Sequence, residues 1–261
     1  MDKIDISIII VSWKVRELLK KCLESIRSSQ GDFNLEIFVV DNGSDDGTIE
    51  MIKRDFPDVR LIASDKNLGF AKANNLALKR ASGEFILLLN PDTEINRNSL
   101  SKPIEFIKNH QQCGVLGPKM LYPDGKLQPS VRRFPTLGAV AMMLFKLPKL
   151  FPNLKAVNKY LAKDFDYNRE QIVDQIMGAY MFMPKSAIER VGYLDERFFI
   201  WFEEVDYCRR LKASGFEVWY SPEISILHHG GKSFAQAAVI SNQRLFFSSA
   251  LKYFVKYGFQ S

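Results

Sequence analysis

The sequence predicts an α/β fold with a doubly wound, largely parallel sheet. Three observations carry this: short strands that are apolar on both faces, amphipathic helices alternating with them, and polar clusters at the strand ends. Ile6 to Val11 is a β-branched run far too short to span a membrane. Val15 to Ser28 follows with Leu18, Leu19, Cys22 and Ile26 at helical spacing. The cycle repeats with strands at Leu35 to Val40, Val59 to Ala63 and Phe85 to Leu89, and helices at Thr48 to Asp55 and Phe70 to Ala81. Strands without a polar face belong in a parallel sheet buried on both sides.

A polar helix is expected over Arg97 to Asn109, and after Gly117 the pattern changes. Met120 to Ser130 reads as turns, and Phe134 to Asp166 reads as loops and short helices around Pro135, Pro148 and Pro152. A strand is expected over Gln175 to Pro184, and helices over Lys185 to Val191 and Glu203 to Ser214. Strands at Phe216 to Tyr220 and Ile224 to Leu227 close the sheet, and Gln236 to Tyr257 forms a last amphipathic helix.

The chain of 261 residues is long enough for one substantial core, and no internal repeat or low-complexity tract divides it. Its 36 basic and 30 acidic residues leave a net charge of +6, which favours anionic partners such as phosphates or lipid headgroups. The basic residues are scattered and accompany no nucleic-acid-binding motif, so no nucleic-acid partner is expected. Cys22, Cys113 and Cys208 are odd in number and lack CxxC spacing, which suits a reducing compartment and excludes a structural zinc site. The N-terminus, Met1-Asp-Lys-Ile-Asp, does not read as a signal peptide, so a cytoplasmic location is expected.

In a doubly wound sheet ligands bind beyond the carboxyl ends of the strands. Those ends read Ser12-Trp13, Asp41-Asn42-Gly43-Ser44 and Asn90-Pro91-Asp92. Asp41 is either a turn acid or an acceptor for a base NH or ribose hydroxyl. Asp92 is either a helix cap or a hard oxygen ligand for Mg²⁺ or Mn²⁺ on a diphosphate. Glu203 and Glu204 open a helix after the aromatic run Phe198 to Phe202, where acids either complement the helix dipole or serve as a general base. Asp206 is a structural acid, with Arg209 and Arg210 one turn away. His228-His229-Gly230-Gly231-Lys232-Ser233 is either a glycine turn with solvated histidines or a metal-associated loop, and His110 reads as a solvated surface residue. No G-x-G-x-x-G follows the first strand and no P-loop motif occurs, against a dehydrogenase or an NTPase. The lack of a glycine-rich phosphate loop also argues against a nucleotidyltransferase.

Taken together, Ser7 to Trp13, Val39 to Thr48, Asn67-Leu-Gly-Phe-Ala-Lys-Ala-Asn74, Leu89-Asn-Pro-Asp92, Phe202 to Cys208 and His228 to Ser233 resemble, in order, the family 2 inverting glycosyltransferases of the GT-A fold. The resemblance is to the bacterial rhamnosyltransferase-like branch and covers nearly the whole chain. It implies a single GT-A domain over 1–261, a Rossmann-like, mostly parallel sheet with a small antiparallel acceptor-side part. Residues 1–117 would form the nucleotide-sugar half and 118–261 the acceptor-binding and catalytic half.

The resemblance further implies a nucleotide diphosphate-sugar donor, dTDP-rhamnose before UDP-sugars, and a glycan or lipid-linked acceptor in cell-surface polysaccharide synthesis. Ser12, Trp13, Asp41, Asn67, Gly69, Asn74, Asn90 and Asp92 would line the donor site. Asn90 stands where the family's metal motif has its first aspartate, so Asp92 would hold Mg²⁺ or Mn²⁺ with His228, which has His229 beside it. Glu204 would be the catalytic base, with Glu203 its neighbour. A catalytically inactive sugar-nucleotide-binding protein is the alternative, allowed by Asn90 and by Glu204, which stands where the family usually has an aspartate. Leu137 to Phe145 is also too short to cross a bilayer, and the basic and aromatic residues from Phe134 to Lys163, together with the C-terminal helix, are either a peripheral contact with an anionic membrane or a lid over the active site with solvated lysines.

Overall fold

The protein is described by a computed structural model, which describes residues 3–29, 31–145, 147, 151, 153–230 and 239–258, the side chains of 239–242 excepted. In chain order the elements begin β1 (Ile6–Ser12), α1 (Arg16–Ser28), β2 (Leu35–Asp41), α2 (Thr48–Asp55), β3 (Arg60–Ala63), α3 (Phe70–Leu78) and β4 (Phe85–Leu89). Then follow β5 (Thr93–Glu94), α4 (Asn98–Asn109), β6 (Cys113–Leu121), β7 (Leu127–Gln128), β8 (Val131–Arg132), α5 (Leu137–Leu144) and α6 (Lys155–Tyr160). The chain continues through β9 (Gln171–Ile172), β10 (Gln175–Ile176), β11 (Tyr180–Pro184), α7 (Lys185–Val191), α8 (Glu203–Ala213), β12 (Glu217–His228) and α9 (Val239–Tyr257).

The main sheet runs β3-β2-β1-β4-β11-β6-β12-β5, with β7 added to β6 and β9 to β12. β3, β2, β1 and β4 are parallel, and β6 and β12 are parallel to each other. β11 pairs antiparallel with both β4 and β6, and β5 antiparallel with β12. The strand order reverses between β1 and β4, which opens a crevice beyond their carboxyl ends.

Both faces of the sheet are covered, which is why its strands read as unbroken apolar runs. Ile8, Val39 and Leu87 pack with Leu19, Met51 and Leu100 of α1, α2 and α4. Ile9, Val40 and Leu88 pack on the other face with Ala73, Ile188 and Tyr207 of α3, α7 and α8.

Several expectations need correction. The nine-residue strand β6 passes straight through position 117 and reaches Leu121, where turns were expected. Gly114, Gly117 and Pro118 hide it, since glycine and proline weaken a strand signal. The two glycines are there for room: a Cβ on Gly114 would lie 2.7 Å from Phe216 Cβ, and one on Gly117 would lie 2.7 Å from Ile176 Cγ2. Gln175 to Pro184 is two strands in different sheets, β10 pairing with β8 and β11 with β4. Conversely, Phe216 to Leu227 holds one strand, β12, with a register shift between Ser221 and Ser225. Pro222 accounts for that irregularity, since proline cannot donate to a ladder. Asp92 does not cap α4; that role falls to Asn96, whose Oδ1 accepts from Ser99 N at 3.2 Å. His110 is not simply solvated, because its ring stacks on Phe106 with centroids 4.0 Å apart and packs on Trp219. Lys146, Pro148, Lys149, Leu150, Pro152 and the stretch 231–238 lie outside the described residues.

Candidate active site

β4 carries the chain into Asn90-Pro91-Asp92, and β5 at once pairs back onto β12, Thr93 opposite His228. His229 N donates to Asp92 O at 2.9 Å, so backbone bonds clamp the two segments face to face. The Asp92 and His228 side chains, 2% and 5% exposed as residues, meet inside this clamp. His228 Nε2 stands 3.4 Å from Asp92 Oδ1, and neither atom has a hydrogen bond among the described residues. His229 points elsewhere and bonds Glu94 Oε1 at 2.7 Å. The structure thereby separates the two histidines that the sequence left adjacent.

Glu203 and Glu204 are presented by a sharp elbow. Trp201 and Phe202 both adopt left-handed backbone, φ +61° and +68°, immediately before α8. Such geometry costs about 1–3 kcal/mol per non-glycine residue and persists only where the surroundings enforce it. Here Phe70 N donates to Phe199 O at 2.7 Å, and Ser249 Oγ of α9 donates to Ile200 O at 2.7 Å. Gly69, at φ +83°, lies so close that any Cβ would collide with the Phe199 carbonyl. Phe246 packs its ring on Trp201 and Phe202.

The elbow delivers the two glutamates to a cavity of about 420 Å³, whose lining includes Asn90, Gln128, Arg132, Tyr160, Gln175 and His228. Burial pushes the Glu203 carboxyl well above the usual carboxylate range, and the neighbouring Glu204 charge adds to it. Burial also raises Glu204, against which its backbone hydrogen bonds and the Arg132 guanidinium act. Each glutamate keeps one buried oxygen without a hydrogen-bond partner among the described residues. Asp206, by contrast, is fully saturated: Arg210 Nε at 2.8 Å, Lys256 Nζ at 2.5 Å and Tyr257 OH at 2.7 Å all bond it. Its structural reading holds, with Arg210 as the partner from its own helix. Arg209 turns instead to Tyr253 OH at 3.1 Å and to the rings of Phe134 and Tyr257.

Ser12 and Asp41 end β1 and β2 in direct register. Asp41 is fully buried; Oδ2 accepts from Ser44 N at 3.0 Å, while Oδ1 and the Ser12 hydroxyl have no partner among the described residues. Trp13 is half-buried with Lys14 Nζ 5.9 Å from its ring centre. Asn67 accepts from Asn42 Nδ2 at 3.0 Å and Gly69 N at 2.9 Å, and Asn74 donates to Phe70 O at 3.0 Å. Ser12, Trp13, Asp41, Asn67, Gly69, Asn74 and Asp92 stand outside the cavity lining, which Asn90 and His228 join.

Gln128, Arg132, Tyr160 and Gln175 were missed by sequence reasoning. Gln128, Arg132 and Tyr160 come from two-residue strands and one short helix in or between the stretches that read as turns and loops, Gln175 opens a segment expected as a strand, and no local pattern marks any of them for the site.

Comparison with known proteins gives this arrangement its context. The family described as glycosyl transferase family 2 matches residues 7–185. The N-acetylglucosaminyl-diphospho-decaprenol L-rhamnosyltransferase of Mycobacterium tuberculosis is 29% identical over 210 residues, 76% of this chain and 68% of that protein. Rhamnosyltransferase WbbL of Escherichia coli (strain K12) is 26% identical over 97% of this chain and 90% of its own length. Among solved structures, TarS of S. aureus (residues 1–349) superposes with a TM-score of 0.59 at 16% identity, covering 97% of this chain and 72% of that one. The mannosyltransferase PcManGT of Pyrobaculum calidifontis, in complex with GDP-Man and Mn²⁺, has a TM-score of 0.59 at 17% identity, covering 94% and 68%. The fold, the ordered strand-end motifs and these relatives agree: the chain belongs to glycosyl transferase family 2, in its rhamnosyltransferase-like branch, on a GT-A fold.

Proposed function

We propose that this glycosyltransferase moves a sugar, with inversion, from a nucleotide diphosphate-sugar to a hydroxyl of a glycan or lipid-linked acceptor, and that the donor is dTDP-rhamnose. The observation that carries the reading is the strained elbow holding two glutamates with raised affinity for protons in one cavity with His228 and Asn90. A base serves best when its pKa lies near the working pH, and burial moves Glu204 in that direction. Residues 1–117 carry the donor side and 118–261 the acceptor side in this reading.

Asp41 Oδ1 and Ser12 Oγ are unpaired acceptors and donors for base or ribose, with Trp13 beside them and Asn67, Gly69 and Asn74 shaping the loop and helix that follow. Asn90 faces the sugar. Asp92 and His228 fit a divalent cation, because an isolated carboxylate oxygen and an isolated imidazole nitrogen are buried together without a hydrogen bond. Among the described residues no cluster of three or more His, Cys, Asp or Glu side chains forms a metal cage. An ion held by these two residues alone would therefore complete its shell with diphosphate and water oxygens, as Mg²⁺ and Mn²⁺ do. When bound, Mg²⁺ or Mn²⁺ supplies positive charge that offsets the charge of the departing nucleoside diphosphate. Glu204 accepts the proton of the attacking hydroxyl, Glu203 holds its own proton beside it, and Arg132 favours the ionised form of Glu204. A single in-line displacement then needs no covalent sugar-enzyme intermediate.

The acceptor side also suits a membrane surface. Among the described residues no helix is long and apolar enough to cross a bilayer. Six of the ten exposed large apolar side chains among the described residues nevertheless fall on Leu137, Phe145, Phe151 and the outer face of α9, at Phe247, Leu251 and Val255. Lys155, Lys159 and Lys163 lie on or beside α6, which packs against α5, so apolar and basic groups share this side as an anionic interface requires. Calorimetric titration with dTDP-rhamnose, UDP-glucose and UDP-N-acetylglucosamine, with and without Mn²⁺ or Mg²⁺, tests the donor assignment. Metal-dependent preference for dTDP-rhamnose supports it, and preference for a UDP-sugar replaces it.

A further inference from the structure

The unpartnered pair Asp92–His228 is held by a third residue. Gln128, on β7 and 6% exposed, accepts from His228 Nδ1 through Oε1 at 2.9 Å. Gln128 comes from the β6–β7 hairpin, a hundred residues away from His228 in sequence, and is held there by the Met120–Gln128 pairing. On its far side Gly230 packs against Gln128 and Tyr122, so the hairpin and the end of β12 form one wall of the cavity.

We propose that Gln128 is a positioning residue that fixes the His228 tautomer and so makes the Asp92–His228 pair a cation site. The inference rests on the metal reading above. A neutral imidazole carries one proton, and an amide oxygen at Nδ1 claims it. Nε2 is then left with a bare lone pair 3.4 Å from Asp92 Oδ1. Two acceptors facing each other in a buried pocket repel, and only a cation or a proton between them removes the cost. The opposite amide orientation would donate NH₂ to Nδ1 and move the ring proton to Nε2, so that a proton in place of a cation would lie beside Asp92. The side-chain amide therefore decides between an open cation site and a closed one. His229, whose Nε2 is taken by Glu94, does not compete for this place.

The tautomer and the metal are tested separately. Long-range ¹H–¹⁵N correlation of the His228 ring in the metal-free protein, at a pH where the ring is neutral, reads the tautomer without any ion present. The wild type should show the proton on Nδ1 and Gln128→Met should lose that preference; a wild type with the proton on Nε2 overturns the proposal. Mn²⁺ binding in the presence of dTDP, followed by electron paramagnetic resonance, then reads the consequence. Gln128→Met should bind Mn²⁺ about 10- to 100-fold more weakly, as loss of an outer-shell partner does, while Gln128→Glu, which still accepts from Nδ1, should stay close to wild type. Wild-type affinity in a folded Gln128→Met, or an equal loss in both variants, overturns it. If neither the wild type nor Asp92→Ala binds Mn²⁺, the metal reading fails while the ring spectrum still decides the tautomer.

Discussion

His228 Nε2 lies 3.4 Å from Asp92 Oδ1 in a buried pocket, and neither atom is hydrogen-bonded among the described residues. Backbone pairing of β5 with β12 sets that approach, so it does not depend on the two side chains attracting each other.

Removing either group should therefore weaken nucleotide binding without unfolding the protein. Asp92→Ala and His228→Ala are each expected to lose the Mn²⁺-dependent part of dTDP-rhamnose affinity while keeping the wild-type melting temperature within a few degrees. His229→Ala should leave the metal dependence intact. Calorimetric titration with and without EDTA measures all three, and full wild-type binding in EDTA would remove the cation from the account.

A second expectation concerns pH. The folded state raises the Glu203 carboxyl, so the native protein holds that proton more tightly than the unfolded chain does. Stability is then fully present below the ordinary carboxylate value of about 4.3 and declines as pH rises toward the raised folded value. Glu203→Gln removes this titration. Thermal melts from pH 4 to 8 should show the variant gaining on the wild type as pH increases; a constant difference between the two across that range would contradict the burial argument.

The Asp206 cluster predicts a stability effect distant from the chemistry. Asp206 is completely buried and ties α8 to Arg210, Lys256 and Tyr257. Asp206→Ala leaves Arg210 without its carboxylate and Lys256 with Asp195 alone, and should destabilise by about 3 kcal/mol, the lower end for breaking a buried pair. Because α9 also holds the elbow through Ser249, turnover should fall together with stability. Chemical denaturation gives the first number and donor turnover the second.

The apolar and basic side formed by α5, α6 and α9 predicts binding to anionic vesicles that decreases with salt. Phe247→Ser with Leu251→Ser should reduce sedimentation with phosphatidylglycerol liposomes and leave donor binding unchanged. Absence of wild-type binding even at low salt would leave α5 and α6 as a lid only.

How far the sequence could be read follows from where each signal resides. Strands β1, β2 and β4 were legible because burial on both faces writes itself into consecutive apolar residues, and Asp41 and Asp92 were legible because they end those strands. β6 was not, since its glycines serve close packing by Phe216 and Ile176 and look locally like turns. The Glu203-Glu204 pair was visible as acids opening a helix, but the left-handed Trp201 and Phe202 before it were not. That strain is imposed by Gly69, Phe70 and Ser249, which lie far away in sequence. Gln128, Arg132 and Tyr160 gather only through tertiary contact, which no periodicity records.

The most direct test of the account is the turnover of Glu204→Gln beside that of Glu203→Gln, using dTDP-rhamnose, Mn²⁺ and a lipid-linked glycan acceptor. The amide cannot take the acceptor's proton, so Glu204→Gln should bind donor as the wild type does yet lose about 10²- to 10⁴-fold in kcat. Glu203→Gln should retain most of its activity, because burial and the Glu204 charge already favour the protonated form of that carboxyl. A Glu204→Gln variant that turns over at the wild-type rate, or a Glu203→Gln variant that alone is inactive, would contradict the assignment of Glu204 as the base.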